Sequence, residues 1–221
     1  MIMIINCSTV SKCGLCREHA VLSTIAQKGL TPLGCRLTGI FRKGGSKVGT
    51  TTVLTIGYSG RQAGALMALL AAQGATAVID TRTEPVDEQA LRRLAEQDEI
   101  VYHWAGRQLG HQYPADRDSP HHALDEGLRG YTDFMNSEAF VRPAEQLLNM
   151  ALSGKLVIMA DLPETQACYR RLLADYLLLQ GVRVLHIDAA DKLLEHMLSA
   201  ELRYEASARI YDRFPVGSGR A

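Results

Sequence analysis

The strongest constraint on the fold is an alternation of short apolar runs with segments of helical periodicity over residues 51–202. Each run is about as long as a buried strand and ends at glycine or at polar residues. Strands are predicted at 53–57, 75–80, 100–104, 156–160 and 182–187, and helices at 61–73, 87–97, 137–153, 164–180 and 190–202.

Strands that alternate with helices predict a parallel sheet with helices on both faces. Because crossover connections are right-handed, few topologies remain. The leading one is a Rossmann-like or flavodoxin-like doubly wound α/β fold with a mainly parallel five-stranded sheet. A connection at about 105–130, rich in His, Gly, Pro and Asp, interrupts the alternation. Such a long irregular segment is typical of a lid or a binding loop.

The distribution of charge separates a short basic segment from the rest of the chain. The whole chain balances 24 basic against 24 acidic residues, but residues 1–50 carry a net charge of +6 and the remainder −6. We therefore expect a basic N-terminal extension at 1–50, a Rossmann-like domain at 51–205 and a loose C-terminal tail at 206–221. The acidic domain does not favour nucleic acid as a partner, because such binding needs many cations.

Cysteines are concentrated in the same basic extension. Cys13 and Cys16, in C-x-x-C spacing with His19, resemble half of a zinc site, which Cys7 or Cys35 would complete. The alternative is that these are reduced thiols of a cytoplasmic protein. No apolar run approaches the roughly 18 residues of a membrane span, so we expect a cytoplasmic protein without a membrane partner.

Polar residues follow the predicted strands at their carboxyl ends, where ligands bind in open parallel sheets. Gly57, Tyr58 and Ser59 follow the first strand and precede a helix, so their backbone N–H groups would face a phosphate. The alternative is that Ser59 is only the N-cap of that helix.

Arg82 follows the second strand by two residues, where a buried guanidinium must pair with an acid or bind an anion. Asp80 and Glu84 are possible internal partners, and Glu84 is also a candidate ligand contact. If Arg82 clamps a ligand, alanine at this position should abolish binding with little change in melting temperature. A large loss of stability would instead assign Arg82 to a structural ion pair.

Histidines are dense around the third strand and the long connection. Such a cluster would act as acid and base or ligate a metal. The alternative, which we favour, is a half-buried strand histidine at His103 and a solvated loop at His121 and His122, without a metal. The cluster consists of His103, His111, His121 and His122.

Cys168 is predicted near the start of the fourth helix, where the positive end of the helix dipole lowers the pKa of a thiol. Arg170 would add to this effect. The alternative is an inert packing cysteine.

Six motifs in order resemble the domain of unknown function 488 family over roughly 53–190. They resemble its T-I-G-H-S, V-D-V-R-x-x-P, Y-x-x-L-P-x-L-G-G, G-Y-x-D-Y-M, L-M-C-x-E…C-H-R-R and V-x-H-I. The corresponding residues are Thr55–Ser59, Ile79–Pro85, Tyr102–Trp104 with Leu109-Gly110, Gly130–Met135, Leu156–Arg171 and Val184–Ile187.

This chain departs from the family pattern at four positions. Tyr58 and Tyr169 replace histidines, Met159 stands where the family often has cysteine, and Asp161 stands where it has glutamate. The resemblance implies a Rossmann-like fold and brings no established reaction. Groups that would do acid–base or nucleophilic work in relatives are therefore partly replaced here.

Three hypotheses for function follow. In the first, a phosphate-bearing small molecule, such as a nucleotide, binds near Gly57–Ser59 to Arg82, Arg107 and Arg170. The candidates for proton transfer there are Tyr131, Asp161 and His103. In the second, the basic extension contacts nucleic acid. In the third, the domain is an interaction module without chemistry.

Overall fold

The computed structural model describes residues 51–110, 113–188, 191–205 and 208–214. All of these except Glu205 and Ala208 belong to one structural unit. The expected extension at 1–50, with its candidate zinc ligands, lies outside the described residues, as does His111.

Six strands form the main sheet, one more than predicted. Their order is β3-β2-β4-β1-β5-β6, and every pairing is parallel except that of β5 with β6. The strands are β1 (Thr52–Gly57), β2 (Ala77–Asp80), β3 (Val101–Trp104), β4 (Leu156–Ala160), β5 (Arg183–Ile187) and β6 (Leu193–Glu195). A separate two-stranded sheet pairs β7 (Leu202–Glu205) with β8 (Ala208–Tyr211).

Helices cover both faces of the sheet, as the alternation predicted. On one face α1 (Ala63–Ala72) and α2 (Glu88–Gln97) pack Leu70 and Leu91 against Leu54 of β1. The opposite face is covered by α3 (Glu126–Met135), α4 (Glu138–Ser153) and α5 (Arg170–Leu179). The fold is therefore a doubly wound, Rossmann-like α/β fold with a mostly parallel sheet.

The connection expected to be irregular contains two helical segments. A π-helix (Gly106–Gly110) follows β3, and α3 begins within the predicted loop. The π-helix lies against the backbone that follows β2: a Cβ on Gly110 would lie 1.4 Å from the carbonyl oxygen of Thr81. Only glycine allows this close approach, which the irregular composition did not reveal.

The helix predicted at 190–202 is wrong. The segment turns back after β5, where Asp191 has a φ of 59° and the Lys192 N–H donates to the Asp188 side chain. It then forms β6 antiparallel to β5. Its leucines have helical spacing, but Leu194 is 50% exposed and His196 is the buried residue. A short apolar run does not by itself distinguish helix from strand.

Within the described residues, no helix combines the length and apolar character needed to cross a bilayer.

A buried series of hydrogen-bonded side chains joins β1, β5, the segment after β6 and α5. Thr55 Oγ1 of β1 lies 2.6 Å from His186 Nδ1 of β5. The other ring nitrogen of His186, Nε2, lies 2.9 Å from His196 Nδ1. His196 Nε2 lies 2.9 Å from Asp175 Oδ1 of α5. The chain thus ties β1, the segment after β6 and α5 together.

The second carboxylate oxygen of Asp175 binds two residues that follow β6 in the sequence. Asp175 Oδ2 accepts hydrogen bonds from Ser199 Oγ at 2.6 Å and from the Tyr211 hydroxyl at 2.9 Å. Tyr211 lies in β8 and is fully buried, so it anchors this part of the expected C-terminal tail in the core. This contact was invisible in the sequence because the two residues are 36 positions apart.

One proton arrangement satisfies every atom of the buried chain. An ionised Asp175 only accepts, so His196 Nε2 carries the proton. His196 Nδ1 then accepts from His186 Nε2–H, and His186 Nδ1 accepts from the Thr55 hydroxyl. Both histidines are neutral in this arrangement. Burial, the neighbouring His196 and Arg170 lower the pKa of His186 to about 4, while Asp175 opposes the shift.

We predict that His186 makes the fold acid-sensitive. Its pKa is depressed in the folded state, so the unfolded chain takes up this proton first. Stability from this group is full above about pH 6.5 and falls as pH approaches 4, by about 3 kcal/mol in total. Urea unfolding between pH 7 and pH 5 should show a shallower pH slope in His186→Gln than in wild type. His122→Gln, at an exposed position, is the control and should keep the wild-type slope.

Candidate functional site

The carboxyl ends of β1 and β4 lie side by side and lead to opposite faces of the sheet. The chain after β1 runs to α1 on one face, and the chain after β4 runs to α5 on the other. Neighbouring parallel strands whose connections diverge in this way form the crevice in which doubly wound folds bind ligands. Asp161 is the first residue after β4 and lies at this point.

The backbone N–H groups that follow β1 are hydrogen-bonded to the end of β4 and to the loop after it. The Tyr58 N–H donates to the Ala160 carbonyl at 2.8 Å, and the Ser59 N–H donates to the Asp161 carbonyl at 2.9 Å. A Cβ on Gly57 would lie 2.2 Å from the Leu162 carbonyl oxygen. These N–H groups are therefore already bonded in the structure, and they do not form an open phosphate cradle.

Ser59 is not the N-cap of α1 either. The helix begins at Ala63, and Gln62 stands at its N-cap without a capping side-chain hydrogen bond. Ser59 is instead an exposed residue at the rim of the crevice.

Arg82 is the centre of a buried ion-pair network. Its Nε donates a hydrogen bond to Asp80 Oδ1 at 3.0 Å, and its Nη2 donates to Asp80 Oδ2 at 2.7 Å. Nη2 also donates to Asp87 Oδ1 at 3.0 Å. The residue is only 4% exposed. Asp80 is thus the internal partner that the sequence suggested, whereas Glu84 lies exposed on the loop.

Aromatic residues hold this ion pair in place. The Tyr102 hydroxyl donates to Asp80 Oδ2 at 2.6 Å, and the Trp104 indole donates to the Arg82 carbonyl at 2.8 Å. The Tyr58 ring lies 4.0 Å from the guanidinium carbon, and its hydroxyl donates to Asp87. Contacts from β2, from β3 and from the residue after β1 therefore fix the orientation of Arg82.

The electrostatics of the network follow from these contacts. Burial, then the hydrogen bond to Asp87, raises the pKa of Tyr58 to about 12. Burial opposes ionisation of Asp87, but the hydrogen bonds from Tyr58 and Arg82 outweigh it and lower the pKa of that carboxyl. Burial likewise works against the charge on Arg82, yet Asp80 and Asp87 raise its pKa overall. Arg82 and Asp87 are thus held in their charged forms.

One guanidinium nitrogen of Arg82, Nη1, takes no part in these hydrogen bonds. Within the described residues, Nη1 has no hydrogen-bond partner, whereas Nε and Nη2 are fully engaged. The nearby Asp161 carboxyl is exposed and interacts electrostatically with both Arg82 and Asp80. Partial burial raises the pKa of Asp161, and Arg82 opposes this shift. Arg82 therefore keeps one nitrogen without a hydrogen bond, near a carboxyl at the crevice whose pKa is raised.

Tyr131 does not reach the crevice. It is 1% exposed, its hydroxyl donates to the Leu109 carbonyl at 2.5 Å, and its ring lies 4.7 Å from that of Tyr169. Burial raises the pKa of Tyr131 well above its usual value. The Tyr169 hydroxyl in turn donates to the Thr81 carbonyl at 2.9 Å. The two tyrosines support the π-helix and the chain after β2.

Arg170 holds the loop between β4 and α5. The residue is fully buried, and its guanidinium donates to the carbonyls of Leu162 and Pro163 and to Thr165 Oγ1. The helix α5 begins at Arg170, six residues later than predicted, and the Arg170 side chain binds two of the carbonyls that precede it. Arg170 is committed to the loop backbone in this structure.

Cys168 is buried within that loop, at 1% exposure. Burial raises the pKa of its thiol, and Arg170 only partly opposes the effect. The expectation of a dipole-lowered pKa is therefore wrong: Cys168 precedes the helix, and loss of hydration outweighs the nearby positive charge. The thiol fits the alternative of a packing cysteine.

The described histidines of the candidate cluster have separate surroundings. His103 is exposed on β3, and not half-buried as we favoured, and it faces away from the Arg82 network. His121 is not in a solvated loop: it is 1% exposed and its Nδ1 accepts from the Tyr211 N–H at 3.2 Å. No group of three or more His, Cys, Asp or Glu residues suited to a metal occurs within the part of the chain that the structure describes.

Arg107 is exposed on the π-helix, with its guanidinium carbon 5.5 Å from the Trp104 ring centroid. It is thus joined to the Arg82 network through Trp104, whereas Arg170 is not. The three arginines expected to converge therefore have different surroundings: Arg82 in the buried network, Arg107 exposed beside Trp104, and Arg170 buried in the loop.

Sequence reasoning gave no role to Asp87, Tyr102 or Trp104. Asp87 was hidden because its function depends on the turn that brings it back to Arg82. Tyr102 carried a detectable signal, since a tyrosine on a buried strand needs a partner for its hydroxyl. That partner is Asp80, on the neighbouring strand.

We predict that Arg82→Ala lowers stability by roughly 3–5 kcal/mol, because it leaves Asp80 buried and unpaired. The double variant Asp80→Ala/Arg82→Ala removes both charges and should recover a large part of that loss. Urea denaturation of the three proteins measures the effect. A single variant as stable as wild type would contradict the structural ion pair.

Comparison with known proteins gives one family. The model of the domain of unknown function DUF488 matches residues 62–177, more than half of the 221-residue chain. The matched range begins after β1 and ends within α5, so it contains Arg82, Tyr131, Asp161 and Cys168. No curated protein matches the chain. The chain therefore belongs to the DUF488 family.

Proposed function

We propose that this protein binds a small phosphate-bearing ligand, such as a nucleotide, in the crevice between β1 and β4, with Arg82 Nη1 as its anchor. The observation that carries the proposal is the free nitrogen of a guanidinium whose other donors are fixed by Asp80 and Asp87. A donor held rigidly in this way loses little conformational entropy when an anion binds.

Asp161 controls the charge of this crevice. Asp80 and Asp87 carry two negative charges against the single positive charge of Arg82, so an ionised Asp161 adds further repulsion of an anion. A protonated Asp161 reduces that repulsion and becomes a hydrogen-bond donor. The raised pKa of Asp161 favours this protonated form at higher pH than is usual for aspartate.

Asp161 is also the group best placed for proton transfer if the protein is an enzyme. Its carboxyl is exposed at the crevice, and a raised pKa brings an acid closer to the working pH. Tyr131 and Cys168 are buried, and His103 lies on the other side of the sheet. A proton-transfer role for these three would require a rearrangement, so chemistry at this site rests on Asp161.

We predict that Asp161→Asn strengthens anion binding about tenfold at neutral pH, because it removes one repulsive charge. Wild-type affinity should rise as pH falls, and the variant should lose this dependence. Calorimetric titration with inorganic sulfate, whose charge stays constant over this range, provides the measurement.

Two variants control this experiment. Glu164→Gln removes a charge from an exposed residue of the same loop and should leave the pH profile unchanged. Arg82→Lys keeps a cation beside Asp80 but lacks Nη1, and it should weaken binding at least tenfold. Equal affinities in wild type and Arg82→Lys would overturn the proposal.

A second candidate function is nucleic-acid binding through residues 1–50, which the net charge of +6 in that segment favours. We predict that deleting 1–50 removes any binding to DNA or RNA together with its salt dependence. Electrophoretic mobility shifts at low salt test this. Full-length protein that binds neither nucleic acid would eliminate the candidate.

The third hypothesis, an interaction module without chemistry, remains distinct from the first. Turnover of a phosphorylated metabolite that disappears in Asp161→Asn would exclude it.

A further inference from the structure

A second pocket lies on the opposite face of the sheet from the Arg82 network. Ile79 and His103, paired across β2 and β3, line it, whereas the adjacent Asp80 and Tyr102 belong to the network. The sheet alternation therefore places most of the two linings on opposite faces, while Trp104 borders both the pocket and the Arg82 network. The pocket has a volume of about 430 Å³ and is flanked by the π-helix and by α4.

The lining of this pocket is uncharged. Within the described residues, no Lys, Arg, Asp or Glu side chain lines it. Its polar side chains are His103, three carboxamides and Trp104, whose indole N–H is already bonded to the Arg82 carbonyl. The carboxamides belong to Gln108 of the π-helix and to Gln146 and Asn149 of α4. Each carries both a donor and an acceptor, so together they match a neutral ligand that has both.

The remaining wall is apolar and suits a flat ring. Leu109, Leu147 and Met150 contribute side chains from two elements, and a methionine sulfur makes favourable contacts with aromatic rings. A cavity of this size lies at the small end of the range for ligand sites. It exceeds the needs of one water or ion and fits a single ring system with a small substituent.

We infer that this pocket binds an uncharged nitrogen heterocycle of nucleoside size, held by Gln108, Gln146 and Asn149. Carboxamides pair with the edges of nucleobases through one donated and one accepted hydrogen bond. The leucines and Met150 contact the ring faces. This site is distinct from the anion site at Arg82, although Trp104 borders both.

Ligand-observed NMR and equilibrium dialysis with adenosine, guanosine, cytidine and uridine test the inference on the full chain. At least one nucleoside should bind with a micromolar to millimolar Kd. Gln146→Ala and Asn149→Ala should each weaken that binding about tenfold, the loss expected for one hydrogen bond. Both residues are exposed, so the fold should tolerate the changes.

Matched controls make each outcome decisive. Gln89→Ala removes an exposed glutamine from α2 on the other face and should bind the nucleoside like wild type. Glu164→Gln, at an exposed position of the loop after β4, should also bind it normally. Absence of binding by all four nucleosides, or binding that survives both α4 substitutions, overturns the inference without affecting the proposal for Arg82.

Discussion

The ion pair between Asp80 and Arg82 determines how the functional edge of this protein is built. A carboxylate that is fully buried at the end of a central strand requires a cation in direct contact. Arg82 supplies it with two nitrogens, and this choice fixes the direction of its third. Tyr58, Asp87, Tyr102 and Trp104 then complete the coordination.

This arrangement resolves an apparent conflict between structure and function at Arg82. The sequence posed a structural ion pair and a ligand clamp as alternatives. The donors of a guanidinium point along different edges of its plane. The Nε and Nη2 edge can therefore stabilise Asp80 while Nη1 remains available to a ligand. A loss of stability on truncation therefore does not exclude a binding role.

A second polar network stabilises the other side of the sheet. The chain from Thr55 through His186 and His196 to Asp175 connects elements that are distant in sequence. Because every atom has a partner in one proton arrangement, the network is compatible with a buried position. The network lowers the stability of the fold on acidification, because a proton on His186 would place a positive charge in surroundings that disfavour it.

The sequence by itself determined the layered α/β architecture and the positions of the five parallel strands, because hydrophobic periodicity acts locally. It also identified Arg82 and Asp161 as strand-end residues, and the family motifs agreed with the family match. Only the tertiary structure decided that the segment after β5 forms a strand, that Arg170 binds loop carbonyls, and that Tyr131 and Cys168 are buried. These outcomes depend on contacts between residues far apart in the chain, and no local pattern encodes which distant atom a side chain will meet.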